Sequence, residues 1–508
     1  MNQFASFPVL LPLIGGIFVL LAQRAGIGAQ RLINFVFTLG LLGLTIWGLQ
    51  QAISGEYQVI LLGDWEAPFG IVMVLDQLSA LMLVITALLA LAALWYAMTT
   101  DVDKQGHHFH VLFQLQLFGL NGAFMTGDVF NLFVFFEVLL LASYGLLLHG
   151  GGRLKTRAGL HYVVINLIGS TLFLFAVGTL YGILGTLNIA DMAIAMQFVE
   201  PQDRGVVAAA GLLLLVVFGI KAAMFPLYLW LPGAYSYTSA PVAALFAIMT
   251  KVGLYAMIRV HGTIFGESAG ALAYIHSDWI LVLGLVTLGL AALGVLAARI
   301  LRQQVAYLIL ASVATLLVAI GINSEAAFSA TIYYLIHSTF IGAALFLLAD
   351  VIRIARGTHA DSFTKATPVA QPILVGGVFM LLAIAVTGMP PLSGFFGKVM
   401  ILNAAIMHSW FWTILIVVLV AGLLMIYAMA RTGSLLFYSV QAAQDKSAPS
   451  LNKSAFAAII FLLVISPLMV IFAKPITDLT TEIAVQQIDH AGYIEAVTSQ
   501  RPMSEVSK

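Results

Sequence analysis

Apolar residues run through this chain in blocks far longer than a water-soluble core requires. Most blocks are hydrophobic on every helical face rather than along one stripe, as in helices surrounded by lipid or by other apolar helices. About 20 residues of α-helix cross the hydrocarbon layer of a bilayer. By that criterion the chain divides into about fourteen spans, with cores near residues 4–22, 31–49, 72–98, 109–127, 130–149, 158–184, 205–228, 239–263, 278–298, 303–321, 325–350, 370–403, 410–438 and 452–473. The predicted fold class is an all-α polytopic membrane protein in a lipid bilayer. The first block, MNQFASFPVLLPLIGGIFVLLAQ, has no cationic start, so it reads as a first span rather than a cleaved signal peptide.

Two spans break the pattern in comparable ways. The seventh, GIKAAMFPLYLWLPGAYSYTSAP, contains Pro226 and Pro232, and the twelfth, AVTGMPPLSGFFGKVMI, contains Gly388, Pro390, Pro391 and Gly394. Proline removes a backbone donor and clashes with the preceding turn. At membrane depth such a break has to be enclosed by protein or line water. Counting five spans from the fourth and five from the ninth makes each broken span the fourth of its five. Because five is odd, the second unit starts on the opposite face, which predicts two inverted repeats with ion sites near the breaks, Lys221 and Lys398 falling at equivalent places. The expected organisation is a three-helix segment over 1–105, a first five-helix unit over 106–265, a second over 266–440, and a last span with a polar tail over 441–508.

Charge sharpens this picture. Only 9% of the 508 residues are Asp, Glu, Lys or Arg, and the net charge is zero, so nothing points to nucleic acid. The chain has no cysteine, which excludes disulfides and cysteine-ligated iron–sulfur clusters. Most basic residues, among them Arg24, Arg31, Arg153, Arg302, Arg353, Arg431 and Lys446, fall in one set of alternate loops. Arg204, Arg259, Lys474, Arg501 and Lys508 fall in the other. The positive-inside rule makes the first set cytoplasmic, with both termini on the outer face. The Gly-rich run 150–152 precedes no strand, so no nucleotide loop is expected, and no cofactor or metal site is predicted.

Five polar residues lie within apolar spans: Glu137, Lys221, Lys251, His337 and Lys398. A charge at the bilayer centre costs at least about 2.5–3.5 kcal/mol, and intramembrane ionisable residues usually serve ion or proton movement. Lysine can lose its proton when buried, which arginine does not do. Histidine titrates near neutral pH and suits a relay. If Glu137 faces Lys221, the two neutralise each other, and opening the pair would release a proton. A purely structural ion pair is the alternative, as is a hydrogen-bonded core role for His337. Asp76, Asp128 and Asp350 fall near span ends and are expected at the interface. His107, His108 and His110 form a short cluster expected to be a solvated cytoplasmic loop, with proton collection or metal binding as alternatives.

The segments FNLFVFFEVLLLASYGLLLHGG, FGIKAAMFPLYLWLPGAY, MTKVGLYAMIR and GMPPLSGFFGK together resemble the antiporter-like membrane subunits of respiratory complex I and of Mrp-type multisubunit cation/proton antiporters. The resemblance runs from about the third span to the thirteenth. Tyr235 in LPGAYSYTSAP, where complex I subunits usually carry histidine, together with TGDVFNLFVFFEVLLLASY and HAGYIEAV, makes the chain similar to the Mrp D subunits. The resemblance implies a Glu137–Lys221 ion pair and a hydrated midplane axis continued by Lys251, His337 and Lys398. It further implies work inside a complex of several membrane subunits in a bacterial inner membrane, exchanging H⁺ for Na⁺ or K⁺. A proton-pumping subunit of a complex-I-like redox enzyme is the second reading. No cluster of acids marks a cation site, so Na⁺ and K⁺ are both open.

Overall fold

The computed structural model describes residues 3–366, 368–369, 371–439 and 450–500. Among them, twelve helices are long and apolar enough to cross a membrane, so the chain is a multi-pass membrane protein. The other two expected spans are also helical but fall short of full length. Phe109–Met125 has 17 residues and carries buried His110, Gln114, Gln116 and Asn121. The twelfth span is two pieces, Pro372–Thr387 and Ser393–Ala404.

The helices sort by surroundings. Ala240–Ile264 is buried along almost its whole length, and Leu301–Ile322 and Glu325–Ala355 are nearly as enclosed. These form the centre, and it is here that two of the five polar residues, Lys251 and His337, lie. Arg153–Leu184 and Phe411–Tyr438 stand at the periphery and turn large apolar side chains outward, including Leu160, Leu167, Phe175 and Leu423. Without water to satisfy backbone groups at this depth, helices are the stable solution. Small residues set how closely they approach.

Several expectations at the span ends are corrected. The third span begins at Gln77 rather than near residue 72, because Gln58–Leu61 and Val72–Leu75 pair antiparallel in a short hairpin of this otherwise helical fold, with Gln58 opposite Leu75. Asp76 follows this hairpin and is buried rather than interfacial. Its carboxylate accepts from Ser79 N at 2.9 Å, capping the helix Gln77–Thr99. The same carboxylate pairs with Arg259, which lies not in a loop but in a buried π-helical turn, Met257–His261. Arg259 also sits over the rings of Tyr255 and Tyr493, 5.6 Å and 5.1 Å from their centroids. Tyr493 belongs to the tail. That tail, Ala473–Ile488 and His490–Thr498, packs back on the protein, with Gln77 N donating to Gln486 Oε1 at 3.0 Å and Gln486 Nε2 to Gly55 O at 3.0 Å. Asp76→Asn should destabilise the chain by about 3–5 kcal/mol, because the Arg259 guanidinium stays buried without its counter-charge; denaturant titration of the purified protein reads this directly.

At the opposite end, Asp350 is buried and joins Tyr96 and Arg353. Asp128, back at the Asp76 end where Gly127 N bonds Val72 O, is also buried and caps the helix Val129–Leu148 by accepting from Asn131 N. His107 and His108 are exposed, but His110 is not part of a solvated loop. It is buried, with Nε2 3.0 Å from Asp103 and Nδ1 2.8 Å from Asn34. Arg31 donates to both Asp103 oxygens. Burial pushes the Asp103 carboxyl up, but the hydrogen bonds and charges of His110 and Arg31 together outweigh it and hold the group down at about 2. Lys446, Arg501 and Lys508 lie outside the described residues.

Candidate functional site

Both helix breaks are built by the same backbone device. The helix Arg204–Lys221 ends with Ala223 in the left-handed region (φ +55°), Ala223 N bonding Ile220 O and Met224 N bonding Gly219 O. The helix Pro372–Thr387 ends with Gly388 at φ +78°, Gly388 N bonding Ala385 O and Met389 N bonding Ile384 O. This is the two-bond left-handed C-cap that satisfies a helix's last carbonyls. Glycine takes that conformation freely, whereas Ala223 holds it against its Cβ. A proline stands three residues after each cap, Pro226 and Pro391, with Pro390 just before the second. Pro232 and Gly394, expected to be breakers, are not. Pro232 lies in the first turn of the next helix, Trp230–Tyr237, where its missing N–H is tolerated. Gly394 lies in the first turn of Ser393–Ala404.

The two lysines are therefore not at matching residues, contrary to the sequence-based expectation. Aligned on the caps, Lys221 corresponds to Val386, and Lys398 lies in the helix after its break. What the breaks share is a side chain returning from the second piece to a last-turn carbonyl of the first. Trp230 Nε1 donates to Ile220 O at 3.0 Å, and Lys398 Nζ donates to Thr387 O at 2.6 Å. The carbonyl end of a helix favours a cation, so the second break is a built seat for the Lys398 ammonium.

Glu137 and Lys221 make no direct ion pair; Lys221 Nζ instead donates to Asn166 Oδ1 at 3.2 Å. Glu137 accepts from Ser170 Oγ, and the same hydroxyl lies 3.0 Å from Asn166 O. The physical reason is the intervening helix Arg153–Leu184. Tyr162, Asn166 and Ser170 recur every four residues, which puts one polar stripe between acid and base. The carboxylate remains within Coulombic reach of the ammonium. The stripe is the part of the site that sequence reasoning missed, although Asn166 and Ser170 are legible as i, i+4 polar residues in an otherwise apolar run.

Lys251 is completely buried, and its Nζ has no hydrogen-bond partner among the described residues. Two residues on, Gly253 rests on the first break. A Cβ there would lie 2.6 Å from Ala222 N, 2.8 Å from Phe218 O and 3.0 Å from Lys221 C. Glycine thus lets the helix carrying Lys251 touch the backbone next to Lys221. A small cavity of about 10 Å³ is lined by Lys221, Asn166, Tyr162 and Trp230 together with Met249 and Val252 of the segment that carries Lys251. That is roughly the room one water needs.

His337 Nδ1 is 2.7 Å from Ser393 Oγ, which is 2.7 Å from Ser466 Oγ. The ring is pressed against the second break. A Cβ on Gly394 would lie 2.2 Å from Ala385 O and 2.6 Å from His337 Nε2, so only glycine fits between them. The Lys398 charge reaches the His337 ring. The structure thus groups the five residues as Glu137–Lys221 with Lys251 at one break, and His337 with Lys398 at the other. No hydrogen bond among the described residues joins Lys251 to His337. The helix Leu301–Ile322, with buried Ser312 and Thr315, lies against both of their helices.

Residues 126–425 match the family described as NADH:quinone oxidoreductase/Mrp antiporter, transmembrane. The chain is 40% identical over 476 residues to the D subunit of a probable K(+)/H(+) antiporter of Rhizobium meliloti (strain 1021), covering 86% of this chain and 87% of that protein. This chain belongs to the NADH:quinone oxidoreductase/Mrp antiporter family. It is also 34% identical to the D subunit of a Na(+)/H(+) antiporter of Alkalihalophilus pseudofirmus, over 98% of this chain and 100% of that one. Among solved structures it is similar to a chain of the Mrp complex from Dietzia sp. DQ12-45-1b, with a TM-score of 0.86, 26% identity, and coverage of 98% and 100%.

Within this Mrp-type chain, all five polar residues and both breaks fall inside the matched region. Tyr235 is buried and donates to Phe246 O at 2.7 Å. These relatives are named as antiporter subunits, in keeping with a transporter component rather than an enzyme.

Proposed function

We propose that this chain is the proton-conducting membrane subunit of a multisubunit monovalent cation/proton antiporter in a bacterial inner membrane, with both termini on the outer face. The observation that carries the reading is Lys251. It is a fully buried amine with no protein partner among the described residues, packed through Gly253 against the break that holds Lys221. A charged amine so placed is costly unless water reaches it or it gives up its proton. Both are what a relay requires. The site at Lys221 represents an opened gate, with Glu137 turned to Ser170 and Lys221 to Asn166. Closing the pair holds the proton on Lys221, and opening it releases that proton toward Lys251, and thence through water past Ser312 and Thr315 to His337 and Lys398. The shared cap at the two breaks supports the division into two related five-helix units, 106–265 and 266–440. H⁺ crosses here in exchange for Na⁺ or K⁺, and other membrane subunits complete the cation's path. The relatives named for K⁺ and for Na⁺ make both cations candidates.

The test is ion flux by the complex purified with all its co-purifying chains and reconstituted in vesicles under an imposed proton gradient. Cation flux that follows the gradient, with no iron–sulfur or flavin subunit present, is the expected result. Proton pumping only when a reductant is oxidised, by a complex containing such subunits, would assign the chain to a redox enzyme instead.

A further inference from the structure

Ten residues beyond Lys251, on the same membrane-spanning segment, lies a second group of buried titratable side chains that the relay above does not use. His261 is fully buried, and its ring centroid is 5.1 Å from that of His276, which is 5% exposed and opens the helix Ser277–Ala297. His261 Nε2 lies 2.9 Å from Gly211 O. A carbonyl only accepts, so Nε2 carries the proton and Nδ1 keeps a lone pair. The Nδ1 atoms of His261 and His276 are both buried without a hydrogen-bond partner among the described residues. A buried, unmet polar nitrogen costs about 1–3 kcal/mol. Two such atoms on neighbouring rings are hard to explain as packing.

The surroundings narrow what they serve. Phe218 and Phe265 wall His261, with centroids 5.5 Å and 5.8 Å away, and Tyr274 stands 6.5 Å from His276. His490 of the tail, close to Gly266, carries a third buried Nδ1 without a partner among the described residues. The charged groups at this end are Arg259 with Asp76, and Glu267 and Asp489 near His490. No set of three metal-ligating side chains forms among the described residues. Position decides the rest. His261 bonds Gly211, ten residues before Lys221 on its helix, and is itself ten residues after Lys251. At 1.5 Å per residue the histidine pair stands about 15 Å from both lysines along two adjoining helices. The turn Met257–His261 between them is π-helical, a distortion frequent at functional sites.

We propose that His276 and His261 form the proton access site of this chain, passing protons between the face carrying loop 266–276 and Lys251 and Lys221. In this step His276 takes a proton from water on one ring nitrogen and releases one from the other to His261. His261 then accepts that proton on Nδ1 and releases the one on Nε2 to a chain of waters leading to the lysines, and both rings turn back before the next proton, so that neither ring gains net charge over a cycle. Burial, and next the neighbouring His261, lowers the pKa of His276 to about 2, so its ring is neutral at rest and charged only in passing. This inference rests on the relay reading.

The test compares His276→Asn, His261→Asn, His276→Ala and Lys251→Met in the assembled complex in vesicles, with assembly checked by gel filtration. Antiport in the three histidine variants should fall at least about tenfold, with an altered pH profile. Added imidazole should restore His276→Ala but not Lys251→Met, an outcome that a structural role for His276 does not produce. If both asparagine variants assemble and keep the wild-type rate and pH profile while Lys251→Met is inactive, the access site is refuted and the relay stands. If Lys251→Met also transports normally, the relay itself fails.

Discussion

Lys251→Met should leave the complex assembled, make this chain more stable by about 1–3 kcal/mol, and reduce antiport by roughly 100-fold or more. The two effects have opposite signs because they come from one fact. The Lys251 Nζ is enclosed with no protein acceptor among the described residues, so the folded state carries its desolvation without compensation. Methionine fills nearly the same volume with no polar group to strand. A structural lysine predicts the reverse on the stability axis, because removing a group that holds helices together costs free energy. Thermal unfolding of the purified complex and cation-dependent proton flux, measured on the same preparation, separate the two. A Lys251→Met protein that is less stable would remove the argument that this amine is retained for transport.

Gly253→Ala should be nearly as damaging to transport with a far smaller chemical change. Its added methyl group would meet Ala222 N, Phe218 O and Lys221 C, which are backbone atoms and cannot rotate aside. The helix carrying Lys251 must then retreat from the break. Overpacking of this kind costs about 1–3 kcal/mol, and a displacement near 1 Å at a reacting group can cost roughly 100-fold in rate. Gly289→Ala is the matched control. Nothing lies within 4 Å of its new methyl group, and alanine in a helix interior is favoured by about 0.5–1 kcal/mol. Proton flux should therefore fall steeply in Gly253→Ala and hold in Gly289→Ala. Equal flux in the two would mean that the close approach of the helices has no role in transport.

Spans were legible because lipid makes one demand throughout a helix, and uninterrupted apolar sequence records it. The five polar residues within the spans were legible for the same reason, as exceptions too costly to be neutral. Their contacts were not. That Glu137 meets Ser170, and Lys221 meets Asn166, depends on which face the helix Arg153–Leu184 turns inward, and a helix apolar on nearly every side does not announce this. Proline and glycine marked the breaks, but Pro232 and Gly394 look alike to Pro226 and Gly388 in sequence and differ only in whether they end a helix or begin one. The buried Arg259–Asp76 pair was missed because both residues sit near span ends, where a loop residue and a tucked one read the same. Gly253 carried no signal of its own. Its importance is a distance to Lys221, thirty-two residues away in the chain.

The central claim, that protons cross through the intramembrane row beginning at Glu137 and Lys221, is tested most directly by cation/proton antiport in vesicles holding the assembled complex with Lys221→Ala or Glu137→Ala. The account predicts flux no greater than in vesicles lacking the complex, for either variant, with assembly intact. Full antiport in a normally assembled Lys221→Ala complex would contradict it.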